Sequence, residues 1–231
     1  MIDSKELVGR ELAGRVKDGD VIGIGTGSTV RAAVKAIGER IKNEGIRVSA
    51  LTTSVDSSIL CAEFGIKSLD PYSEREDVRF GFDGADEVDA QGRLIKGQGG
   101  AMLREKILAA RCREWVIIID DSKLVQRLGE RFPVPIEVIP EACFQVQQRV
   151  LQYGADSVEL RRAGTGYGAP VISERGNLIL DASFKVAGIK GDAEISLKSI
   201  TGVVETGLFL SQASEVLVSS PSGVKTFFRR S

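Results

Sequence analysis

Short β-branched runs that break off into glycine, hydroxyl or acid constrain this chain more than any other feature. "VIGI" runs into "GTGST", "IRVSAL" into "TTS", "DVRFGF" into "DGAD", "LI" into "KGQGG" and "EWVIII" into "DDSK". Each run is short for a helix and rich in the residues that fill buried strands. Between them lie helical stripes: Val8, Leu12 and Val16, then Val30, Val34, Ile37 and Ile41, then the segment "AMLREKILAARC". Strands alternating with helices predict an α/β fold, a doubly wound, mostly parallel sheet of Rossmann-like kind.

The pattern changes at "RFPVPIEVIP", where Pro133, Pro135 and Pro140 mark a boundary. Beyond it come a helix over residues 141–153, an extended "SVELRRA", a hairpin-like pair "APVIS"/"NLILD" and a helix over residues 192–200. That order suits a smaller α+β domain. "VVETGLFL" and "EVLVSS" read as strands that return to the first domain. The expected division is a larger α/β domain of residues 1–131 and 209–231, and a small α+β domain of residues 132–208.

The 31 basic residues balance 32 acidic ones with no basic block, so nothing electrostatic favours nucleic acid or an acidic membrane. No apolar run is long enough to span a bilayer, and the N-terminus is charged from its start. Cys61, Cys112 and Cys143 are widely spaced and form neither a metal-ligand cluster nor a disulfide framework, which predicts reduced thiols in a cytoplasmic protein. The chain has no histidine. Proton transfer near neutral pH would then fall to a carboxylate or a lysine, and Ser-His-Asp triads are excluded.

In open α/β sheets ligands bind beyond the carboxyl ends of the strands, where these loops stand. Residues 25–29 follow a strand and open a helix, the place where free N–H groups and hydroxyls suit a phosphate. Thr26, Ser28 and Thr29 would add donors there; the plainer reading is a turn capped by Ser28. The stretch is neither a P-loop, lacking its lysine, nor a full dinucleotide fingerprint, since Ser28 stands at the third glycine. Asp83 and Asp86 flank Gly84 and Ala85 directly after a buried strand, so both acids can face one cleft. Glu87 and Asp89 read as helix caps or solvated charges. Lys96 sits at a strand end beside Gly97, Gln98 and Gly99. Glu105 and Lys106, by spacing alone, look like exposed helix charges, and residues 120–123 like a surface turn.

In order, "GIGTGST", "DGADEVD", "KGQGGAMLREK" and "DDSK" closely resemble ribose-5-phosphate isomerase, type A, as do the later "VIP", "GNLILD" and "GVVETGLF". The resemblance runs from Lys5 to "PSGVKT". It implies interconversion of ribose 5-phosphate and ribulose 5-phosphate without metal or other cofactor. It implies substrate contacts at Thr26, Gly27, Ser28 and Thr29, at Asp83, Gly84, Ala85 and Asp86, at Lys96, Gly97, Gln98 and Gly99, and at Lys123. Glu105 matches the family's proton acceptor, and Lys5 stands where an N-terminal lysine approaches the phosphate. Gln98 departs from a run that in the family is often all glycine; a positive φ there would be costly for it.

The implied chemistry moves a proton between C1 and C2 through an enediolate, which needs a base and a cation for the developing oxyanion. Glu105 takes the base role, Lys96 the oxyanion, Asp83 a hydroxyl or ring-oxygen proton, and Asp86 supports it. The expected partner is a small pentose phosphate, with no nucleic acid and no membrane, in a homodimer or homotetramer. The rival readings are a non-catalytic sugar-phosphate sensor domain of related fold and a dinucleotide-binding oxidoreductase. The first would bind DNA without turnover. The second would need an acid where "TTS" stands after the second strand.

Overall fold

The computed structural model describes residues 3–72, 78–164 and 168–230; Asp77, with which one expected strand opens, lies outside them. In chain order the elements are α1 (Ser4–Ala13), β1 (Val21–Ile24), α2 (Ser28–Glu44), β2 (Ser49–Thr52), α3 (Val55–Glu63), β3 (Lys67–Ser68), β4 (Val78–Asp83), β5 (Glu87–Val88), β6 (Leu94–Ile95), α4 (Met102–Arg111), β7 (Cys112–Asp120), β8 (Val134–Val138), α5 (Cys143–Tyr153), β9 (Ser157–Leu160), β10 (Leu178–Ser183), α6 (Ala193–Lys198), β11 (Val203–Thr206), β12 (Leu208–Phe209), β13 (Glu215–Ser220) and β14 (Gly223–Arg229). Among the described residues no helix is long and apolar enough to cross a membrane. The described residues form two compact units. One draws on residues 1–85, 104–123 and 212–231, the other on residues 86–103 and 124–211.

The first unit holds a seven-stranded sheet in the order β14-β13-β7-β4-β1-β2-β3. Only β14 runs antiparallel, as the return arm of a hairpin with β13. From β1 the chain winds out through β2 to β3, then comes back to β4 on the other side of β1. That reversal makes the carboxyl ends of β1 and β4 a topological switch point. The strands are apolar because both faces are covered. Ile22, Ile24, Phe80, Phe82, Val116 and Ile118 share one core with Leu12 of α1, Val34 and Ile37 of α2 and Leu60 of α3. Each such side chain contributes about 1.5–3 kcal/mol by leaving water. On the other face a Cβ at Gly23 would lie 2.9 Å from Cys112 Sγ and 3.2 Å from Leu108 Cγ, so α4 packs tightly there. Burial pushes the Cys112 thiol up to about 12.

At the amino-terminal end of this sheet, Glu215 opens β13 at 6% exposure. Its carboxylate accepts from Arg15 at 2.6 Å, from Arg229 at 2.6 Å and from Thr226 at 3.1 Å, tying the residues after α1 to the final hairpin. Burial pushes the Glu215 carboxyl up, but the two guanidinium hydrogen bonds outweigh it and hold the group at about 2 against an ordinary 4.5. The unfolded chain therefore takes up this proton first. The cluster's stabilisation is complete above about pH 4.5 and drains away as pH falls toward 2. We expect Glu215→Gln to cost about 2 kcal/mol at neutral pH. Denaturant melts should show the gap between variant and wild type narrowing over that acid window; a constant gap would contradict it.

The second unit holds an antiparallel four-stranded sheet, β11-β8-β10-β9, and a three-stranded one, β12-β6-β5. Val134, Ile136 and Val138 alternate along β8 and share a core with Leu180, Ala182, Val146 and Val150 of α5, and Ala193 and Leu197 of α6. The division differs from the one expected, because residues 86–103, 124–131 and 209–211 fall in this unit, and "VVETGLFL", expected to return to the first domain, pairs here as β11 and β12. The reason lies in pairing. β6 is antiparallel to both β5 and β12, and Val125 N–H donates to Val88 C=O at 3.0 Å. Glu87 closes the arrangement: fully buried, its carboxylate accepts N–H bonds from Gly129 at 2.7 Å, Arg131 at 2.6 Å and Phe132 at 2.7 Å. It is neither a helix cap nor a solvated charge. Hydrogen bonds to a charged group contribute about 1.5–3 kcal/mol each. Glu87→Ala should therefore lower the unfolding free energy by about 3 kcal/mol or more, read from denaturant melts, and a loss below 1 kcal/mol would mean that water replaces the carboxylate.

Candidate active site

The switch point of the first unit is organised by Asp83, the last residue of β4, which is fully buried. Its Oδ1 accepts N–H bonds from Thr26 at 3.1 Å and Gly84 at 2.8 Å. Gly25 makes this approach possible, since a Cβ there would stand 2.1 Å from Asp83 Cγ. The carboxylate is thus fixed on the backbone of the β1–α2 turn, at the strand end where the sequence placed it.

Beyond Gly25, Gly27 caps α2 and, like Ser28, is exposed, while Thr29 is 9% exposed. Lys5 Nζ donates to Ser28 Oγ at 2.9 Å, so α1 delivers an ammonium to the start of α2. An N-terminal helix end with a lysine beside it suits an anion. The Thr26 hydroxyl, expected as a further donor, is engaged elsewhere. It meets the hydroxyls of Thr53 at 2.8 Å, Ser54 at 2.8 Å and Ser57 at 3.0 Å, and Ser57 Oγ donates to Gly25 C=O at 2.6 Å. Ser54 also caps α3 through Ser57 N–H at 3.1 Å. Thr53, Ser54 and Ser57 were not among the expected site residues. The signal for Thr53 and Ser54 was the run "TTS" at the carboxyl end of β2, beside β1 in the sheet; Ser57 follows one turn into α3.

Glu105 lies in the first turn of α4 and is 4% exposed, whereas Ile107, two residues on, is 51% exposed. The spacing predicts an exposed charge at Glu105, and the structure buries it. A helix that hides its acid and exposes its isoleucine is not arranged for packing alone. After β7, Asp120 Oδ1 accepts from Ser122 N–H at 3.0 Å and from its hydroxyl, shaping a 3₁₀ turn that ends at Lys123, which is half-buried.

In the second unit, Asp86 Oδ2 accepts the Gln98 N–H at 3.1 Å, bringing two expected site residues together. Gly84 and Ala85, of the first unit, are half-buried. Lys96 is 2% exposed, its N–H donates to Gly207 C=O at 2.9 Å, and its Nζ stands 5.7 Å from the centre of the Phe209 ring. Gly97 has a φ of 99°, open to glycine, whereas no non-glycine residue among those described has a positive φ. Gln98 therefore sits in the glycine run without backbone strain, and it and Gly99 are exposed. Asp89 is fully buried and bonded to the Arg93 guanidinium at 2.6 Å and to the N–H groups of Gln91 and Arg93 at 3.0 Å each; it builds the β5–β6 turn instead of standing in solvent. Among the described residues no three His, Cys, Asp or Glu side chains group to hold a metal ion.

The sequence model of the family described as ribose 5-phosphate isomerase A (phosphoriboisomerase A) matches residues 49–223. The chain is 42% identical over 221 residues to ribose-5-phosphate isomerase A of Methanothermobacter thermautotrophicus, covering 96% of each protein. Its fold superposes on the structure of ribose 5-phosphate isomerase A from Methanocaldococcus jannaschii with a TM-score of 0.91 at 38% identity, over 99% of both chains. A D-ribose-5-phosphate isomerase in complex with phospho-erythronic acid is equally near in fold, at TM-score 0.91 and 36% identity over 98% of both chains. Matching the family model over more than half its length and a relative over nearly all of it, the chain belongs to the ribose 5-phosphate isomerase A family.

Proposed function

We propose that this protein interconverts D-ribose 5-phosphate and D-ribulose 5-phosphate through an enediolate, with Glu105 as the base. The observation that carries the reading is the burial of Glu105 in the first turn of α4, in a chain with no histidine. An aldose–ketose isomerisation needs one group to lift a proton from C2 and return it to C1. A carboxylate held out of water is suited to that carbon acid. Lys96 supplies the positive charge for the oxyanion that develops on the substrate, the role in which preorganised charge contributes most. Asp83, with its orientation set by two backbone N–H groups, handles a hydroxyl or ring-oxygen proton, and Asp86 supports it. Thr26, Gly27, Ser28 and Thr29 with Lys5 and Lys123 hold the phosphate. Gly84, Ala85, Gly97, Gln98 and Gly99 contact the sugar.

A phosphorylated sugar acid bound to a relative of the same fold supports a sugar-phosphate ligand here. The reading includes a cytoplasmic homodimer or homotetramer, for which exposed apolar side chains such as Phe144 at 75% and Ile195 at 78% speak. No cofactor enters the scheme, because Lys96 provides the charge that a metal would.

Turnover of ribose 5-phosphate after exhaustive chelation is the direct test, and a sensor domain would bind without turnover. Glu105→Gln keeps the shape and removes the base. It should lower kcat by at least about a hundredfold while substrate binding stays near wild type. Exchange of the substrate C2 proton with deuterated solvent should fall with it. A variant that still exchanges and isomerises within a few fold of wild type would move the base to Asp83 or Asp86.

A further inference from the structure

Arg161 was not among the expected site residues, yet its guanidinium makes four hydrogen bonds within the second unit. Its Nη1 donates to Gly97 C=O at 2.8 Å and to Gln98 C=O at 2.9 Å. Its Nε and Nη2 form a fork on the Asp181 carboxylate at 2.8 and 2.5 Å. The backbone of Arg161 is fixed as well. Its N–H donates to Ile179 C=O at 2.8 Å and its C=O accepts from Val171 N–H at 3.0 Å. Asp181 stands on β10, between β8 and β9 in the sheet. A guanidinium held on a rigid strand thus grips two successive carbonyls of an exposed loop.

A trans peptide points its C=O and N–H in opposite directions. The peptide joining Gly97 to Gln98 is therefore held at both ends, its carbonyl by Arg161 and its N–H by Asp86 Oδ2 at 3.1 Å. The peptide joining Gln98 to Gly99 has its carbonyl on Arg161, so the Gly99 N–H is aimed away from the guanidinium. Gly100 N–H closes the turn on Gly97 C=O at 3.0 Å. Backbone rotation, the freedom a glycine run would otherwise have, is removed by a side chain about 60 residues further along.

We propose that Arg161, anchored by Asp181, is the positioning residue that sets the peptide planes of the Lys96–Gly99 loop for catalysis, without touching the substrate. This rests on the isomerase reading for the part that concerns turnover, so two independent measurements test it. Amide hydrogen exchange over residues 97–100 needs no activity. It should accelerate about tenfold in Arg161→Met and in Arg161→Lys, which keeps the charge but loses the fork. Exchange in the first unit should stay within about twofold. Steady-state kinetics should show kcat falling about tenfold or more with KM within about threefold, the split of a misplaced group as opposed to lost binding. Asp181→Asn should act in the same direction, and the Arg161→Met/Asp181→Asn double variant should be no slower than Arg161→Met alone. If Arg161→Met does not fold, Arg161→Lys carries the test. Unchanged exchange over residues 97–100 overturns the clamp. Faster exchange with kcat within twofold of wild type overturns its part in catalysis. Wild-type protein that fails to isomerise ribose 5-phosphate defeats the functional reading instead, and the exchange result alone then decides whether Arg161 fixes the loop.

Discussion

The contact on which the first unit's site depends is the one between the Asp83 carboxylate and the Thr26 N–H, across the switch point of the parallel sheet. It exists because β1 and β4 are parallel neighbours in register, Ile24 beside Phe82, so Gly25 and Asp83 stand side by side at the carboxyl edge of the sheet. It also requires the missing side chain of Gly25. With that turn fixed, α2 begins at Ser28 with its free N–H groups outward, and Lys5 reaches the same point from α1. The Thr26 hydroxyl, turned the other way, joins β1 to β2 and α3 through Thr53, Ser54 and Ser57. One buried carboxylate and four hydroxyls thereby fix the turn that opens α2, without a lysine in the turn itself.

The crowding of Asp83, Asp86, Glu87 and Asp89 after one buried strand is resolved by giving each acid its own donors. Burying an ionised carboxylate costs heavily unless it is hydrogen-bonded. Glu87 takes three backbone N–H groups and Asp89 an arginine and two more, and both become parts of the frame of the second unit. Asp83 and Asp86 take backbone donors from the turns that the proposed substrate contacts occupy. Acids that share a short segment therefore divide between scaffold and proposed site according to which backbone supplies their donors.

Much of this was legible in the sequence, and for a physical reason. Parallel strands buried on both faces leave unbroken apolar runs, and the chemistry must then sit where the runs stop. β1, β4 and β7 and the loops after them follow that logic. β6 and β12 were legible as strands, in "LI" and "VVETGLFL", but their sheet was not, because β5 is only two residues long and β12 pairs with β6 from more than a hundred residues away. Distance along the chain also hides Arg161 and Asp181, whose meaning depends on a loop about 60 residues earlier. Glu105 is the opposite case. Its helix was read correctly, but which face a helix buries is decided by its neighbours, and Ile107 would have suggested the wrong one.

Gln98 shows how the two levels meet. A residue with a side chain in a glycine run should be penalised only if the backbone there needs a positive φ, and it does not. The torsions that need glycine fall on Gly97 and Gly100, at 99° and 76°, on either side of it. What holds the loop between them is hydrogen bonding to its main chain: Asp86 on the Gln98 N–H, Arg161 on the Gln98 carbonyl. Both grips are on the main chain and indifferent to the side chain of Gln98, an exposed residue. A loop secured by its backbone at both faces can accept a side chain at its centre, provided the flanking glycines keep the bends. The side chain that interrupts the glycine run is therefore carried at a position where the backbone needs no positive φ and is held by its peptide groups.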